Sequence, residues 1–312
     1  MKAFAVVAVL AVSLVGCSQA GKAPAAQSPQ AAGHPASAPQ RSAATAYLGV
    51  YAPGVPSSYA PVERFAAAVG RQPDLVLYYS GWYESFRAAF AAAAERHGAV
   101  PVIQIDPTGI SMADIAAGRY DQYLRSFAQA VVRYGDKIVL SFGHEMNGDW
   151  YTWGWRNTSA ATFVAAWRHV HDVFAATGAS NVTWMWTIIV GKDSAATLRS
   201  WWPGAAYVNW VGLDGYYVYP ADTFATVFGD TLAAVREITR DPILLAETGV
   251  APGAGKEAKL PDLFTGIRAS GVIGFMYFDK DQNAASGYHQ NWRLEDDPAA
   301  VAEFRRLAAN SR

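Results

Sequence analysis

Cysteine is almost absent from this sequence, and so is net charge. A single cysteine, Cys17, occurs in 312 residues, which excludes an internal disulfide and a zinc site built from several cysteines. Only 16% of the residues are charged, with 25 Lys and Arg against 26 Asp and Glu. Because nucleic-acid binding requires a concentrated basic face, we expect no nucleic-acid partner.

Several short motifs that mark cofactor or metal sites are incomplete. The residues after the first predicted strand, YAPG at 51–54, do not form the glycine-rich phosphate loop of dinucleotide-binding proteins. His144 begins a zinc-protease motif, but Gly148 stands where the second histidine is required. The segment DKDQN at 279–283 begins like a calcium loop and lacks the later glycine and glutamate that such a loop needs. We therefore predict no metal and no cofactor.

The N-terminus has the pattern of an export signal. Met1 and Lys2 give a short positive start, and residues 3–15 form an apolar run that is too short to span a membrane. The run ends in LVGC at 14–17, which resembles the lipobox of bacterial lipoproteins and makes Cys17 the residue that would carry the lipid. Two or three acyl chains would anchor the protein stably, whereas one chain binds a membrane only marginally.

The following segment has no means of forming a core. Residues 18–46 are mainly Ala, Pro, Ser and Gln and include no aromatic side chain, which is typical of a disordered tether. We therefore expect a signal peptide at 1–16, a tether at 17–46 that begins with the lipidated Cys17, and one folded domain at 47–312. On this interpretation the protein is exported and stays attached to a bacterial membrane, at the cell surface or in the periplasm.

Eight short apolar segments follow at intervals of roughly thirty residues and alternate with stretches of helical period. Strands that are apolar throughout and alternate with helices are typical of parallel βαβ units, so eight units in about 260 residues predict a single (β/α)8 TIM barrel of the α/β class. The predicted strands are 47–53, 75–82, 100–106, 138–144, 182–188, 210–216, 243–247 and 272–278. The predicted helices are 62–69, 84–97, 120–134, 160–176, 194–202, 224–239, 260–269 and 298–307.

Glutamates follow the fourth and the seventh predicted strands. The carboxyl ends of barrel strands face the functional site, so Glu145 and Glu247 are candidates for catalysis. By alternation Glu145 shares a face with Val139, and Glu247 shares one with Ile243 and Leu245, so both carboxyl groups meet across the barrel mouth if those faces point inward. A single glutamate at such a place is more often a salt-bridge or capping residue. A facing pair favours glycosidic bond cleavage, in which one carboxyl protonates the leaving oxygen and the other attacks or stabilises the anomeric carbon.

The segments around both glutamates resemble one enzyme family. HEMNGDWYTWG at 144–154 and AETG at 246–249 resemble the acid/base segment and the nucleophile strand of glycoside hydrolase family 26, and shorter similar segments keep the family's order from 115 to 294. The resemblance implies a barrel that hydrolyses β-linked polysaccharides with retention, with Glu145 as general acid/base and Glu247 as nucleophile. Retention implies carboxyl groups about 5–5.5 Å apart, and the acid role implies an apolar, aromatic surrounding that raises the pKa of Glu145.

The same resemblance implies substrate-binding residues. His144 would contact the sugar at the cleavage position, Tyr216 would hydrogen-bond the nucleophile, and Trp150 would stack on the sugar on the leaving-group side. Asn147 and Trp292 also match family positions. We therefore expect all five side chains to line the cleft.

Other aromatic and polar positions complete the predicted site. Trp82 closes the second predicted strand, which places it at the barrel mouth, and Trp153 and Trp155 lie in a polar loop where exposed rings would stack on sugars. Two residues depart from many family members: Ser141 replaces an arginine, and Tyr277 replaces a tryptophan on the eighth strand. We expect Ser141 to change a hydrogen-bond network inside the barrel and Tyr277 to change the floor of the cleavage position.

The resemblance leaves the polysaccharide open. It implies β-1,4-mannanase, which we predict first, or an endo-β-1,3-1,4-glucanase (lichenase) or β-1,3-xylanase. The segment WYTW at 150–153 is less aromatic than in mannanases and so favours the alternatives slightly. A catalytically inactive carbohydrate-binding lipoprotein is a different class of hypothesis, and it predicts the loss of a glutamate that is present here. We expect a monomer whose partner is a neutral polysaccharide.

Overall fold

The computed structural model describes residues 46–282 and 290–310. The predicted signal peptide, the predicted lipidated cysteine and all but the last residue of the predicted tether lie outside this part of the chain. Within the described ranges, no helix has the length and apolar character required to cross a membrane.

Eight parallel strands form a closed barrel, as the sequence predicted. Each strand pairs with its neighbours in chain order, and the last strand pairs with the first. The barrel strands are β1 (Tyr47–Tyr51), β2 (Leu75–Gly81), β3 (Val100–Asp106), β4 (Ile138–Phe142), β5 (Val182–Ile189), β6 (Trp210–Asp214), β7 (Ile243–Thr248) and β8 (Gly274–Phe278). A short strand at Pro53–Pro56 and an antiparallel pair, Asp281–Gln282 with Gln290–Asn291, lie outside the barrel.

Helices follow the strands and cover the outside of the barrel. They are α1 (Ala60–Val69), α2 (Ala88–Arg96), α3 (Met112–Ala116), α4 (Asp121–Tyr134), α5 (Ala160–Thr177), α6 (Ala195–Ser200), α7 (Phe224–Arg236), α8 (Lys256–Ser270) and α9 (Pro298–Ala309). The sequence did not predict α3, and α2 begins four residues later than predicted, because a turn in which Glu84 N–H bonds to Gly81 O precedes it. At α3, α5, α6, α7 and α9, a Ser, Thr or Asp side chain caps the first turn by accepting a backbone N–H.

Side chains of each strand alternate between the barrel interior and the layer under the helices. Leu77, Val139, Met185 and Met276 belong to the interior cluster. Trp184 and Trp186 of β5 face the helices instead, so these two rings are core residues rather than sugar platforms. The tryptophan-rich composition is therefore partly structural.

The β7 strand departs from regular alternation at its end. Leu244 and Ala246 point into the barrel, whereas Ile243 and Leu245 pack against the helices. The prediction that Glu247 shares an inward face with Ile243 and Leu245 is therefore wrong. Regular alternation from these positions would turn Glu247 outward, towards the helices.

A β-bulge returns Glu247 to the mouth of the barrel. Against β6, Leu213 pairs with Leu245 and Asp214 pairs with Glu247, so Ala246 has no partner of its own. The register against β8 shifts in the same stretch. One extra residue on one strand re-aims the side chain that follows, and such bulges are common beside active sites.

Candidate active site

Irregular backbone also positions Glu145. β4 ends at Phe142, and both Gly143 and Glu145 have positive φ, at 58° and 53°. The Glu145 N–H donates to the carbonyl of Thr187 on β5, 3.0 Å away, which fixes the turn against the neighbouring strand. A left-handed conformation costs a non-glycine residue about 1–2 kcal/mol, and strain of this kind concentrates at functional sites.

The carboxyl group of Glu145 is buried under an exposed tryptophan. Nε1 of Trp150 donates to Oε2 of Glu145 at 2.9 Å, while 55% of Trp150 stays exposed. The indole folds over Gly148, where a Cβ would lie 2.5 Å from the ring. Burial raises the pKa of Glu145 to about 7, and the charge of Glu247 also raises it, while the charge of His144 and the bond from Trp150 act in the opposite direction. The predicted environment of a general acid is therefore present.

Two tyrosines hold the carboxylate of Glu247. Tyr79 donates to Oε1 and Tyr216 to Oε2, each at 2.5 Å. The bond from Tyr216 confirms the sequence prediction, whereas Tyr79 was not predicted. Burial and the charge of Glu247 raise the pKa of both phenols well above 10, so both remain neutral donors. The carboxylate is thus fixed at both oxygens.

His144 is buried between Asp106 and Tyr151. Its Nδ1 lies 3.1 Å from Oδ1 of Asp106, and its Nε2 lies 3.0 Å from the hydroxyl of Tyr151. Burial lowers the pKa of His144, but the contact and charge of Asp106 and the charges of Glu145 and Glu247 outweigh it and raise the pKa to about 9. Both ring nitrogens therefore contact protein groups, and the raised pKa favours a positive charge beside Glu145. The sugar contact expected of His144 stays a prediction.

The loop after β4 contains one tryptophan that was wrongly predicted to be exposed. Trp153 is 1% exposed, its Nε1 donates to the carbonyl of His144 at 2.7 Å, and its ring stacks on Tyr151 with centroids 4.3 Å apart. Trp155 is 53% exposed, as predicted. Trp153 is therefore the internal support of the loop that carries Trp150.

Asn147 and Trp82 have structural contacts that the sequence did not predict. The side-chain amide of Asn147 donates to the carbonyl of Ile189 at 2.9 Å and accepts from its N–H at 3.0 Å, so it joins the loop to β5 instead of facing a sugar. Trp82 is 9% exposed and packs on Tyr123 and on Phe142, which faces the helices. The prediction that Trp82 lines the catalytic cleft is therefore wrong.

Trp292 and Tyr277 also differ from the prediction. Trp292 is buried, its ring lies 4.5 Å from that of Tyr216, and its Nε1 donates to Gln282, so it supports the tyrosine that holds Glu247. Tyr277 faces the helices and donates to the carbonyl of Trp292 at 3.0 Å. The residue of β8 that packs beside Tyr216 is Phe278, because side chains alternate along the strand. Tyr277 therefore does not form the floor of the site.

Polar side chains lie in the barrel interior near the two glutamates. The hydroxyls of Ser141 and Thr187 are 2.8 Å apart, in agreement with the expectation that Ser141 belongs to an internal hydrogen-bond network. Asp214 is fully buried, and neither of its carboxyl oxygens has a hydrogen-bond partner among the described residues. Burial and the charges of Glu247 and Glu145 raise the pKa of Asp214 well above its usual value, which favours the protonated form of this third carboxyl.

Three residues of the site were not predicted from the sequence, although the position of each on its strand indicates it. Asp106 and Asp214 are the last residues of β3 and β6, the position at which polar residues become candidates in a barrel. Tyr79 follows Leu75 and Leu77 on the inward face of β2. Alternation alone would therefore have selected it.

A buried glutamate with a raised pKa and a second glutamate held at both oxygens by tyrosines, at the C-terminal mouth of a (β/α)8 barrel, define a glycoside-hydrolase type of site. The comparison with family models gives the particular family. Residues 116–296 match the model of Glycosyl hydrolase family 26. The chain belongs to this family, as its motifs predicted.

Curated relatives and solved structures agree with this assignment. Endoglucanase H of Acetivibrio thermocellus is 30% identical over 271 residues, which cover 81% of this chain and 29% of the relative. Mannan endo-1,4-beta-mannosidase A and B of Caldalkalibacillus mannanilyticus is 34% identical over 84 residues, which cover 25% of this chain and 16% of the relative. The chain thus spans less than a third of either relative's length. The structure of a GH26 beta-mannanase from Bacteroides ovatus matches with a TM-score of 0.68 at 14% identity, covering 86% of this chain and 90% of that one, which supports the fold alone.

Proposed function

We propose that this protein is a retaining, endo-acting β-glycoside hydrolase that uses Glu145 and Glu247 in a double displacement. The observation that carries the proposal is the difference between the two carboxyl groups. Burial holds the pKa of Glu145 near 7, whereas two phenols fix both oxygens of Glu247. Retaining cleavage requires an acid with a raised pKa and a carboxylate held in a fixed orientation.

In the first step, Glu247 attacks the anomeric carbon and Glu145 gives its proton to the departing glycosidic oxygen. The glycosidic bond breaks and an ester to Glu247 forms, so the negative charge of Glu247 disappears. That charge is one of the influences that raise the pKa of Glu145. Its loss lowers the pKa, and Glu145 then accepts a proton from water, which attacks the anomeric carbon and releases the sugar with its original configuration.

We propose β-1,4-mannan as the first substrate to test and β-1,3-1,4-glucan as the second. The match with a mannan endo-1,4-beta-mannosidase supports the first. The second candidate is supported by Endoglucanase H, which matches 81% of this chain. Release of reducing ends should be measured on mannan, mixed-linkage β-glucan and β-1,3-xylan. Activity on β-glucan without activity on mannan would exclude our first substrate.

Two variants and one stereochemical measurement test the catalytic assignment. Glu247→Ala should abolish hydrolysis on every substrate and still bind oligosaccharide. Glu145→Ala should lose far more activity on natural glycosides than on aryl glycosides with good leaving groups, because only the former need a proton donor. Proton NMR during early hydrolysis should show the β-anomer first. Substantial activity of Glu247→Ala, or initial release of the α-anomer, would contradict the mechanism.

We further propose that the enzyme acts as a monomer attached to a membrane through Cys17. In its native host, Cys17→Ala should move the protein from the membrane fraction to the soluble fraction without changing activity. Light scattering of the domain from residue 47 measures the oligomeric state. A Cys17→Ala protein that remains in the membrane fraction would contradict the anchor.

A further inference from the structure

An exposed tyrosine occupies an unfavourable backbone conformation at the end of β2. Tyr83 is the third residue of a turn closed by the bond from Glu84 N–H to Gly81 O, 3.1 Å long, and its φ is 71°. Glycine or asparagine usually occupies a turn position with positive φ, because a bulky side chain is strained there. The ring is nevertheless 62% exposed. A strained residue of this kind points to a function for its side chain.

Other aromatic rings hold Tyr83 in place. Tyr120 and Tyr123 meet it edge-on with centroids 6.2 and 5.5 Å away, and Trp82 lies 6.4 Å away at 69°. We call these four residues the aromatic platform. Trp82 is largely buried within it, and its Nε1 has no hydrogen-bond partner among the described residues. The edge-on contacts restrict the ring of Tyr83 before a ligand binds, which lowers the entropy cost of binding.

A groove continues from the aromatic platform between α2 and α4. Its volume is about 420 Å³, and Tyr123 and Glu84 line it beside Ser126, Arg133 and Tyr134. Its charged groups are of both signs. Neutral sugars combine apolar C–H faces with hydroxyl groups, so they match aromatic rings flanked by polar side chains, whereas the groove offers no excess charge to an ionic ligand.

The aromatic platform lies on the same end of the barrel as the catalytic carboxylates. Tyr83 follows Tyr79, which holds Glu247, by four residues, and four residues span at most about 14 Å. Trp82 packs towards the helices, so the platform is not part of the cleft itself. The aromatic platform and the two glutamates therefore lie on neighbouring parts of the same end of the barrel.

We propose that the aromatic platform and its groove form a second binding site for β-linked polysaccharide, which holds the polymer on the enzyme without taking part in bond cleavage. The polysaccharide class rests on the proposed function. The site acts only on long chains, because a short oligosaccharide that fills the cleft does not reach it.

The test compares Tyr83→Gly with Tyr83→Phe. Glycine removes the ring and accepts the positive φ, whereas phenylalanine keeps the ring and serves as the matched control. In the inactive Glu247→Ala background, migration through native gels containing mannan, β-glucan or xylan should show about fivefold to tenfold weaker binding for Tyr83→Gly and wild-type binding for Tyr83→Phe. In the active enzyme, Tyr83→Gly should raise KM on the polymer and leave kcat/KM on an aryl oligosaccharide unchanged. Ser126→Trp, which fills the groove, should reproduce the binding loss.

The outcomes separate this site from the catalytic proposal. Unchanged gel migration of Tyr83→Gly and Ser126→Trp overturns the second site, even if the wild type hydrolyses polysaccharide. Equal losses on polymer and aryl oligosaccharide also overturn it, because the platform would then support the catalytic centre. A wild type that hydrolyses none of the substrates refutes the proposed function instead. Thermal unfolding checks the fold, and Tyr83→Gly should be at least as stable as the wild type because it relieves strain.

Discussion

Replacing Trp150 with phenylalanine should raise the pH at which activity is lost. The indole N–H donates to the buried carboxyl of Glu145 at 2.9 Å, and this bond stabilises the charged form. A hydrogen bond to a charged group contributes about 1.5–3 kcal/mol, and about 1.36 kcal/mol changes a pKa by one. Without the bond, the pKa of Glu145 should rise from about 7 to about 8 or higher.

The sign follows from the role of Glu145 as an acid. Activity is present while the carboxyl is protonated and falls as the pH rises through its pKa, so the alkaline limb of the profile should move upward in Trp150→Phe. The assay is kcat/KM on the preferred polysaccharide across the neutral and alkaline range. The measured quantity is the pH at which kcat/KM falls on the alkaline side. The maximum of kcat/KM is less informative, because loss of a stacking ring also lowers it.

Trp155→Phe is the matched control for this experiment. Trp155 lies in the same loop with 53% of its surface exposed, and the guanidinium of Arg156 lies 5.2 Å from the centre of its ring. Its alkaline limb should stay where it is in the wild type. A limb that does not move in Trp150→Phe, that moves to lower pH, or that moves equally in both variants would refute the reasoning.

The remaining predictions concern the other carboxyl groups. Tyr79→Phe and Tyr216→Phe each remove one hydrogen-bond donor from Glu247, so each should lower kcat/KM by about tenfold to a hundredfold. A loss below twofold would contradict the importance of these two hydrogen bonds. Glu145→Gln removes a group whose pKa is raised in the folded state, and this group costs the wild type stability as the pH rises from about 4.5 to about 7. In thermal unfolding the variant should therefore be more stable than the wild type by on the order of 1–3 kcal/mol at pH 8 and equally stable at pH 4. Equal stability at both pH values would contradict the raised pKa. Asp214→Asn replaces a buried acid whose pKa is raised well above its usual value. It should therefore fold normally and gain stability relative to the wild type as the pH rises, and a variant that fails to fold at neutral pH would contradict this expectation.

The barrel and the identities of the two glutamates could be predicted because they depend on local patterns. Apolar runs of regular spacing indicate buried parallel strands, and a polar residue after such a run lies at the C-terminal mouth. Val139 does face the interior, as alternation predicted for the strand before Glu145. The bond from Tyr216 to Glu247 was implied by the resemblance to the family rather than by spacing.

The rest of the site depends on contacts between distant segments, which spacing does not reveal. The bulge at Ala246 follows from pairing with two other strands, so alternation within β7 gave the wrong face. Trp153 is buried because its N–H bonds to the His144 carbonyl, although its neighbours in sequence are polar. Asn147 was expected to bind sugar, and only the fold shows that its side-chain amide forms hydrogen bonds with the backbone of Ile189.

Neither of the two carboxyl groups proposed for catalysis points to the mouth because of a regular strand. The direction of the Glu145 side chain depends on the positive φ of Glu145 itself, and that of Glu247 depends on an extra residue in β7. Grafting two glutamates onto the matching strand ends of another eight-stranded barrel would therefore not transfer the activity, since their carboxyl groups would lack the required directions. A successful transplant must also carry the bulge, the turn after β4 and the partner atoms that hold them.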